Sequence, residues 1–122
     1  MAIQITPPQL EIYRKTARER QARLRIQLDE RQQHAWEIAR QAAKILKDEF
    51  GASRVVVFGS LLHPQLFHLR SDIDIAVWDI RSYFRAVSRL MDLDPEIEFD
   101  LVPVEDARPG IMAVIEQEGK EL

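Results

Sequence analysis

Two short stretches of the sequence hold the residue types that do phosphoryl chemistry. In "SDIDIAVW", Asp72 and Asp74 alternate with Ile73 and Ile75, and in "EIEFDLVPV", Asp100 stands between Phe99 and Leu101. Upstream, the apolar run "RVVVF" ends in Gly59-Ser60, and eleven residues separate Ser60 from Asp72. Aspartate is a poor strand former, and a buried, unpaired carboxylate is costly. Two unit charges about 4 Å apart repel by roughly 4 kcal/mol at an effective dielectric near 20. A convergent set of aspartates therefore persists by taking up protons or by holding a cation. The chain has no cysteine, so the donors are oxygens, which suit Mg²⁺ or Mn²⁺ rather than zinc. Mg²⁺ on a few carboxylates completes its shell with water and substrate phosphates, and a pair of such ions serves phosphoryl or nucleotidyl transfer. Gly59 removes a side chain where backbone N–H groups would approach a phosphate. Either motif alone is a weak signal; their order along three strands is the specific one.

The elements that must position these residues follow from the hydrophobic pattern. Strand side chains alternate between faces, so Ile73, Ile75 and Val77 share one face and Asp72, Asp74 and Ala76 the other. The third strand repeats this, with Ile97, Phe99 and Leu101 on one side and Glu98 and Asp100 on the other. Neighbouring strands would bring the aspartates together on the more open face. "RSYFRAVSRLM" reads as an amphipathic helix, Arg108 to Gly119 as a closing helix, and "LLHPQLF" as a short turn at most. The expected fold class is α/β (α+β): a small mixed sheet with helices on one face, preceded by a long N-terminal helix or helix pair.

That N-terminal element begins at Thr6, a plausible N-cap before Pro7 and Pro8, and ends at Gly51. Leu10, Tyr13, Ala17, Leu24, Leu28, Ala35, Ala39, Ala42 and Leu46 fall on one helical stripe. Unbroken, the helix would be roughly 65 Å long, so a break near "LDERQ" is one expectation. Its two halves differ: "AWEIARQAAKILKDEF" is apolar enough to pack on the sheet, whereas "YRKTARERQARLRIQ" is dense in arginine around a thin stripe. The division expected is an arginine-rich arm over residues 1–33 and the catalytic domain over residues 34–122. The arm either folds back against its own domain or projects to a partner protein; nucleic-acid contact is a third and weaker reading, because Glu11, Glu19, Asp29 and Glu30 dilute the positive charge.

The 122 residues allow one domain, and 46% hydrophobic and 30% charged residues with a net charge of −3 are ordinary for a globular protein. That balance argues against a dedicated nucleic-acid-binding protein. Without cysteine there is no disulfide framework, and no apolar run suggests a signal peptide or a membrane span, so a cytoplasmic location is expected.

The order Gly59-Ser60, Asp72-x-Asp74, Asp100 resembles the nucleotidyltransferases with a DNA-polymerase-β-like fold. The wording "SDIDIAV" and the small size are similar to the minimal nucleotidyltransferases, including MntA-type antitoxins paired with HEPN-domain toxins. The resemblance spans Arg54 to about Leu122 and implies that Gly59 and Ser60, with Ser71 nearby, bind the triphosphate of ATP. It further implies that Asp72 and Asp74 hold two Mg²⁺ ions, and that Asp100 ligates the catalytic ion and helps deprotonate the attacking hydroxyl. It also implies a partner: a HEPN-family RNase toxin silenced by transfer of AMP to a tyrosine. Two other readings stay open, an antitoxin that acts by occlusion alone and a transferase acting on a small molecule such as an aminoglycoside.

The remaining polar residues have plainer expectations. His63 and His68 lie in the loop between the motifs and His34 on the long helix, none in a setting that favours Mg²⁺. Arg70 reads as a surface ion pair and Glu98 as a neighbour of Asp100. Trp36 and Trp78 are candidates to stack on a base, Trp36 more readily a core residue.

Overall fold

The computed structural model describes residues 4–122. Its first element, α1, is one unbroken helix over Pro7–Phe50, 44 residues long. Thr6 caps it: its hydroxyl accepts the Gln9 N–H, and the Gln9 side chain accepts the Thr6 N–H in return. No Gly or Pro interrupts the chain between Pro8 and Gly51, and the segment where a break was expected is tethered instead. There Arg31 donates to the Glu96 carbonyl at 2.6 Å, Gln32 to the Leu61 carbonyl at 3.1 Å, and His34 meets Asp94 at 2.6 Å. A helix held at that point gains nothing by bending.

Gly51 ends the helix in the left-handed region at φ 75°, its N–H returned to the Leu46 carbonyl. A Cβ there would stand 2.8 Å from the Arg81 guanidinium. Gly51→Ala is therefore expected to destabilise the fold by about 1–2 kcal/mol, the cost of a left-handed non-glycine residue. A lower urea midpoint at unchanged m-value would register it.

Four strands follow: β1 (Arg54–Phe58), β2 (Ile73–Trp78), β3 (Phe99–Pro103) and a two-residue β4 (Lys120–Glu121). They form one sheet in the order β3-β2-β1-β4, with β1 antiparallel to β2 and β4, and β2 parallel to β3. Helix α2 (Tyr83–Met91) precedes β3, and α3 (Pro109–Glu118) lies between β3 and β4. The β4 pairing, with the Leu122 N–H donated to the Val55 carbonyl, was not expected from the sequence.

The alternation works as the pattern requires. Val55, Val57, Ile73, Ile75, Val77 and Leu101 face a core completed by Ala35 to Leu46 of α1 and Ala86 and Leu90 of α2. The opposite face is not bare. Val56, Phe58 and Ala76 pack on Ile115 of α3, with Met112 and Val102 alongside. The expected placement of helices on one face thus holds for α1 and α2, and α3 adds partial cover on the other. The physical reason is β1: four consecutive buried apolar residues, Val55 to Phe58, leave an apolar patch on both faces. Asp74 stands at the margin of that patch, directly across from Phe58.

Burial along α1 begins at Ala35. The apolar stripe continues toward the N-terminus, but Leu10, Tyr13 and Leu24 are 40%, 64% and 47% exposed. The arm does not fold back on its own domain. Residues 1–3 of the expected arm lie outside the described residues.

Candidate active site

Asp74 sits at the centre of the candidate site because of its register. It pairs with Phe58 in β1 on one side and with Asp100 in β3 on the other. The residue after Phe58 is Gly59, which opens a short 3₁₀ turn, Gly59–Leu62, at φ 79°. A Cβ on Gly59 would fall on the Asp74 carboxylate. The glycine thus serves the backbone conformation and the close approach of the turn to the acid at once.

The turn is held from three directions. Leu61 is buried in the main core, the Ser60 carbonyl accepts the His63 N–H at 3.0 Å, and Gln32 of α1 donates to the Leu61 carbonyl. Sequence reading missed Gln32. The signal was present: a polar residue interrupts the apolar stripe between Leu28 and Ala35, where a satisfied partner was to be sought.

Asp72 is exposed and immediately precedes β2, and Asp100 is exposed within β3. Asp74 is half-buried, and its carboxyl is pushed up to about 6, first by burial and then by the charges of Asp100 and Asp72. None of the three carboxylates has a basic partner among the described residues. Among the described residues no three His, Cys, Asp or Glu side chains form a group that could by itself hold a metal ion. What links the three acids is charge: Asp100 and Asp72 both act on the Asp74 carboxyl, and an all-oxygen donor set of that kind suits a hard cation that takes the rest of its shell from water and phosphate oxygens. Asp72 also lines a groove of ≈ 270 Å³ with Arg70, Ser71 and Glu98, so Glu98 stands beside the set at the foot of β3.

Other expected residues are placed as follows. Ser71 is buried, and its hydroxyl accepts the His68 N–H at 2.9 Å, so it shapes the loop that delivers Asp72. Arg70 forms no ion pair among the described residues; its N–H donates to His68 Nδ1. His63 is joined to Glu118 at the end of α3, 3.0 Å apart, tying the turn to that helix. The Arg54 guanidinium covers the Trp78 ring at 4.5 Å, and Lys120 and Arg40 stand over Trp36 at 5.1 and 5.9 Å, so both indoles already carry cations. A surface concavity of ≈ 750 Å³ beside Arg81, Arg85 and Arg89 contains none of the candidate residues.

Comparison with known proteins extends this geometry. The family model for polymerase beta nucleotidyltransferases matches residues 40–122. A toxin–antitoxin crystal structure with AMP-PNP is 24% identical, with a TM-score of 0.58, covering 68% of this chain and 70% of that one. A mutant MntA-HpeT toxin–antitoxin structure is 21% identical, with a TM-score of 0.57 and the same coverage of both chains. A tri-AMPylated Shewanella oneidensis HEPN toxin in complex with an MNT antitoxin is also 21% identical, with a TM-score of 0.53 over 70% of this chain and 69% of that one. At these identities the likeness establishes the fold. No curated protein matches the chain.

Proposed function

The chain belongs to the polymerase beta nucleotidyltransferase family, and on that premise we propose that it is an antitoxin that transfers AMP from ATP to a hydroxyl, a tyrosine by preference, of a HEPN-type toxin. The observation that carries this reading is the register of Asp74 with Asp100 across parallel strands, with the Gly59-Ser60 turn against the same carboxylate. Support for the partner comes from the solved relatives, which are toxin–antitoxin complexes, one with AMP-PNP and one with an AMPylated toxin.

In the proposed reaction, the acceptor oxygen attacks the α-phosphorus of ATP, an O–P bond forms, and pyrophosphate leaves with the electron pair of the broken bond. Asp72, Asp74 and Asp100 would hold two Mg²⁺ ions, which supply charge neutralisation of the phosphates and activation of the acceptor oxygen. The chain's own residues do the rest. The amides of Gly59 and Ser60 orient the triphosphate, and Ser71 fixes the loop that presents Asp72. Asp100 would help to take the acceptor proton. The half-buried setting of Asp74 and its acidic neighbours disfavour its ionised form, so a cation bound there would relieve that cost.

Labelled ATP, Mg²⁺ and the product of the neighbouring open reading frame test the reading. Wild-type protein is expected to label that product, and Asp72→Asn to lower the rate on the order of 10²-fold or more. Absence of label with the wild type, or equal labelling by Asp72→Asn, sinks it. The exposed arm favours a second reading, neutralisation by occlusion alone, and protection that survives Asp72→Asn would select it.

A further inference from the structure

The arm of α1 carries features that the nucleotidyl-transfer site does not use. No hydrogen bond or ion pair joins residues 7–30 to the body among the described residues. At about 100° per residue, Leu10, Tyr13, Ala17, Leu24 and Leu28 continue the same face that Ala35, Ala39, Ala42 and Leu46 bury against the sheet. Arg14, Arg18 and Arg25 border one edge of that face, and Arg20 and Arg23 the other. Residues 4–28 contain six basic and two acidic side chains, a net +4. The remaining sequence carries eleven basic against eighteen acidic residues, a net −7. Charge is therefore segregated along the molecule.

The geometry points to a docking helix for the acceptor protein: the proposed arm, residues 4–33, receives an apolar protein surface whose borders carry carboxylates. The inference rests on the transferase reading and names how that site meets its macromolecular substrate. Charge complementarity selects the occupant. Over residues 4–33 seven basic and four acidic side chains leave a net +3, so a second copy of the arm would set +3 against +3, and repulsion along both borders opposes that pairing. Nucleic acid would call for cations at the centre of the face, where this helix has leucine, tyrosine and alanine. Location supports the same occupant. Beside Leu24 and Leu28 runs a groove of ≈ 610 Å³, whose other wall is Pro64, Gln65 and Phe67. Those residues belong to the loop between Gly59-Ser60 and Asp72, with Leu66 exposed next to them. A protein seated on the stripe lies alongside the loop that leads into the site.

The test is steady-state AMP transfer to the neighbouring gene product by Leu10→Asp/Leu24→Asp, with Leu24→Met as the conservative control. Both leucines are exposed, so the variant keeps its helix, which far-UV circular dichroism verifies. The expected result is an acceptor KM raised about tenfold or more with kcat held within about twofold, and near wild-type values for Leu24→Met. Unchanged KM in the aspartate variant overturns the docking helix while leaving the transferase reading intact. If the wild type transfers no AMP, isothermal titration with the same gene product decides separately: binding lost in the aspartate variant retains the docking helix, and binding that persists, or is absent throughout, rejects it. Sedimentation velocity of the chain alone, and titrations with single-stranded RNA and anionic vesicles, complete the comparison. Self-association or binding to either probe that the same variant abolishes overturns the assignment in favour of that occupant.

Discussion

Asp74→Asn is expected to lower nucleotidyl transfer on the order of 10²–10³-fold, the scale for removing one electrostatic stabiliser of a transition state, and yet to make the unliganded protein more stable near neutral pH. The carboxyl titrates at about 6 in the folded chain against 3.8 as a free side chain, because burial and the charges of Asp100 and Asp72 disfavour its ionised form. Between those two values the folded state binds more protons than the unfolded state, so stability falls as pH rises through the window. Above about 6 the penalty is present in full, and below 3.8 it is absent. Asparagine has no charge to desolvate or repel. The variant should gain about 1 kcal/mol near neutral pH, once solvent screening of a half-exposed group is allowed for, and nothing near pH 4.

Cation addition sharpens this result. Mg²⁺ would offset the same repulsion, so it is expected to raise the wild-type Tm more near pH 7.5 than near pH 5, where protons compete for the carboxylate. The asparagine variant should respond much less at either pH. Thermal melts across pH with and without Mg²⁺ read both effects. Parallel pH–stability curves for the two proteins would reject the electrostatic account, and retained transfer by the variant would reject Asp74 as part of the site.

The legible part of this protein was what period-two alternation fixes locally. Ile73, Ile75 and Val77 reach the core and Asp74 reaches the other face because strand geometry allows no other outcome once the strand forms. The parallel pairing that sets Asp74 against Asp100 follows from α2 carrying the chain from one strand to the next. What sequence could not reveal was decided by contacts without a pattern. Strand β4 is the charged pair Lys120-Glu121, joined to β1 by backbone groups whose identity leaves no trace in side-chain type. The apolar stripe of α1 reads the same whether covered or bare, so only the position of the body shows that it is buried from Ala35 onward, partly covered at Leu28, and open at Leu24, Tyr13 and Leu10. Ser71 was read as a phosphate neighbour from its place beside Asp72, and what its type did not reveal is that its hydroxyl also accepts the loop's own His68 N–H.

Gly59→Ala separates the two demands placed on one residue. The φ of 79° alone costs an alanine about 1–2 kcal/mol. The methyl group would also occupy the position of the Asp74 carboxylate, forcing the turn away from β2 or the acid out of its half-buried setting. Together these are expected to cost about 3 kcal/mol, within the range for strain and overpacking combined, and to remove transfer entirely. Removing the obstructing acid tests the division. In the double variant Gly59→Ala/Asp74→Ala only the backbone cost should remain, so the penalty of the alanine measured on the Asp74→Ala background falls to about 1–2 kcal/mol. Urea unfolding of the wild type, the two single variants and the double variant closes the cycle. A coupling near zero would mean that the turn and the carboxylate do not touch, and the site built on their contact would have to be redrawn. A coupling above about 1 kcal/mol ties the Gly59–Leu62 turn to the central aspartate as one unit. In that unit Gly59 is required as much by the acid opposite as by the bend it makes.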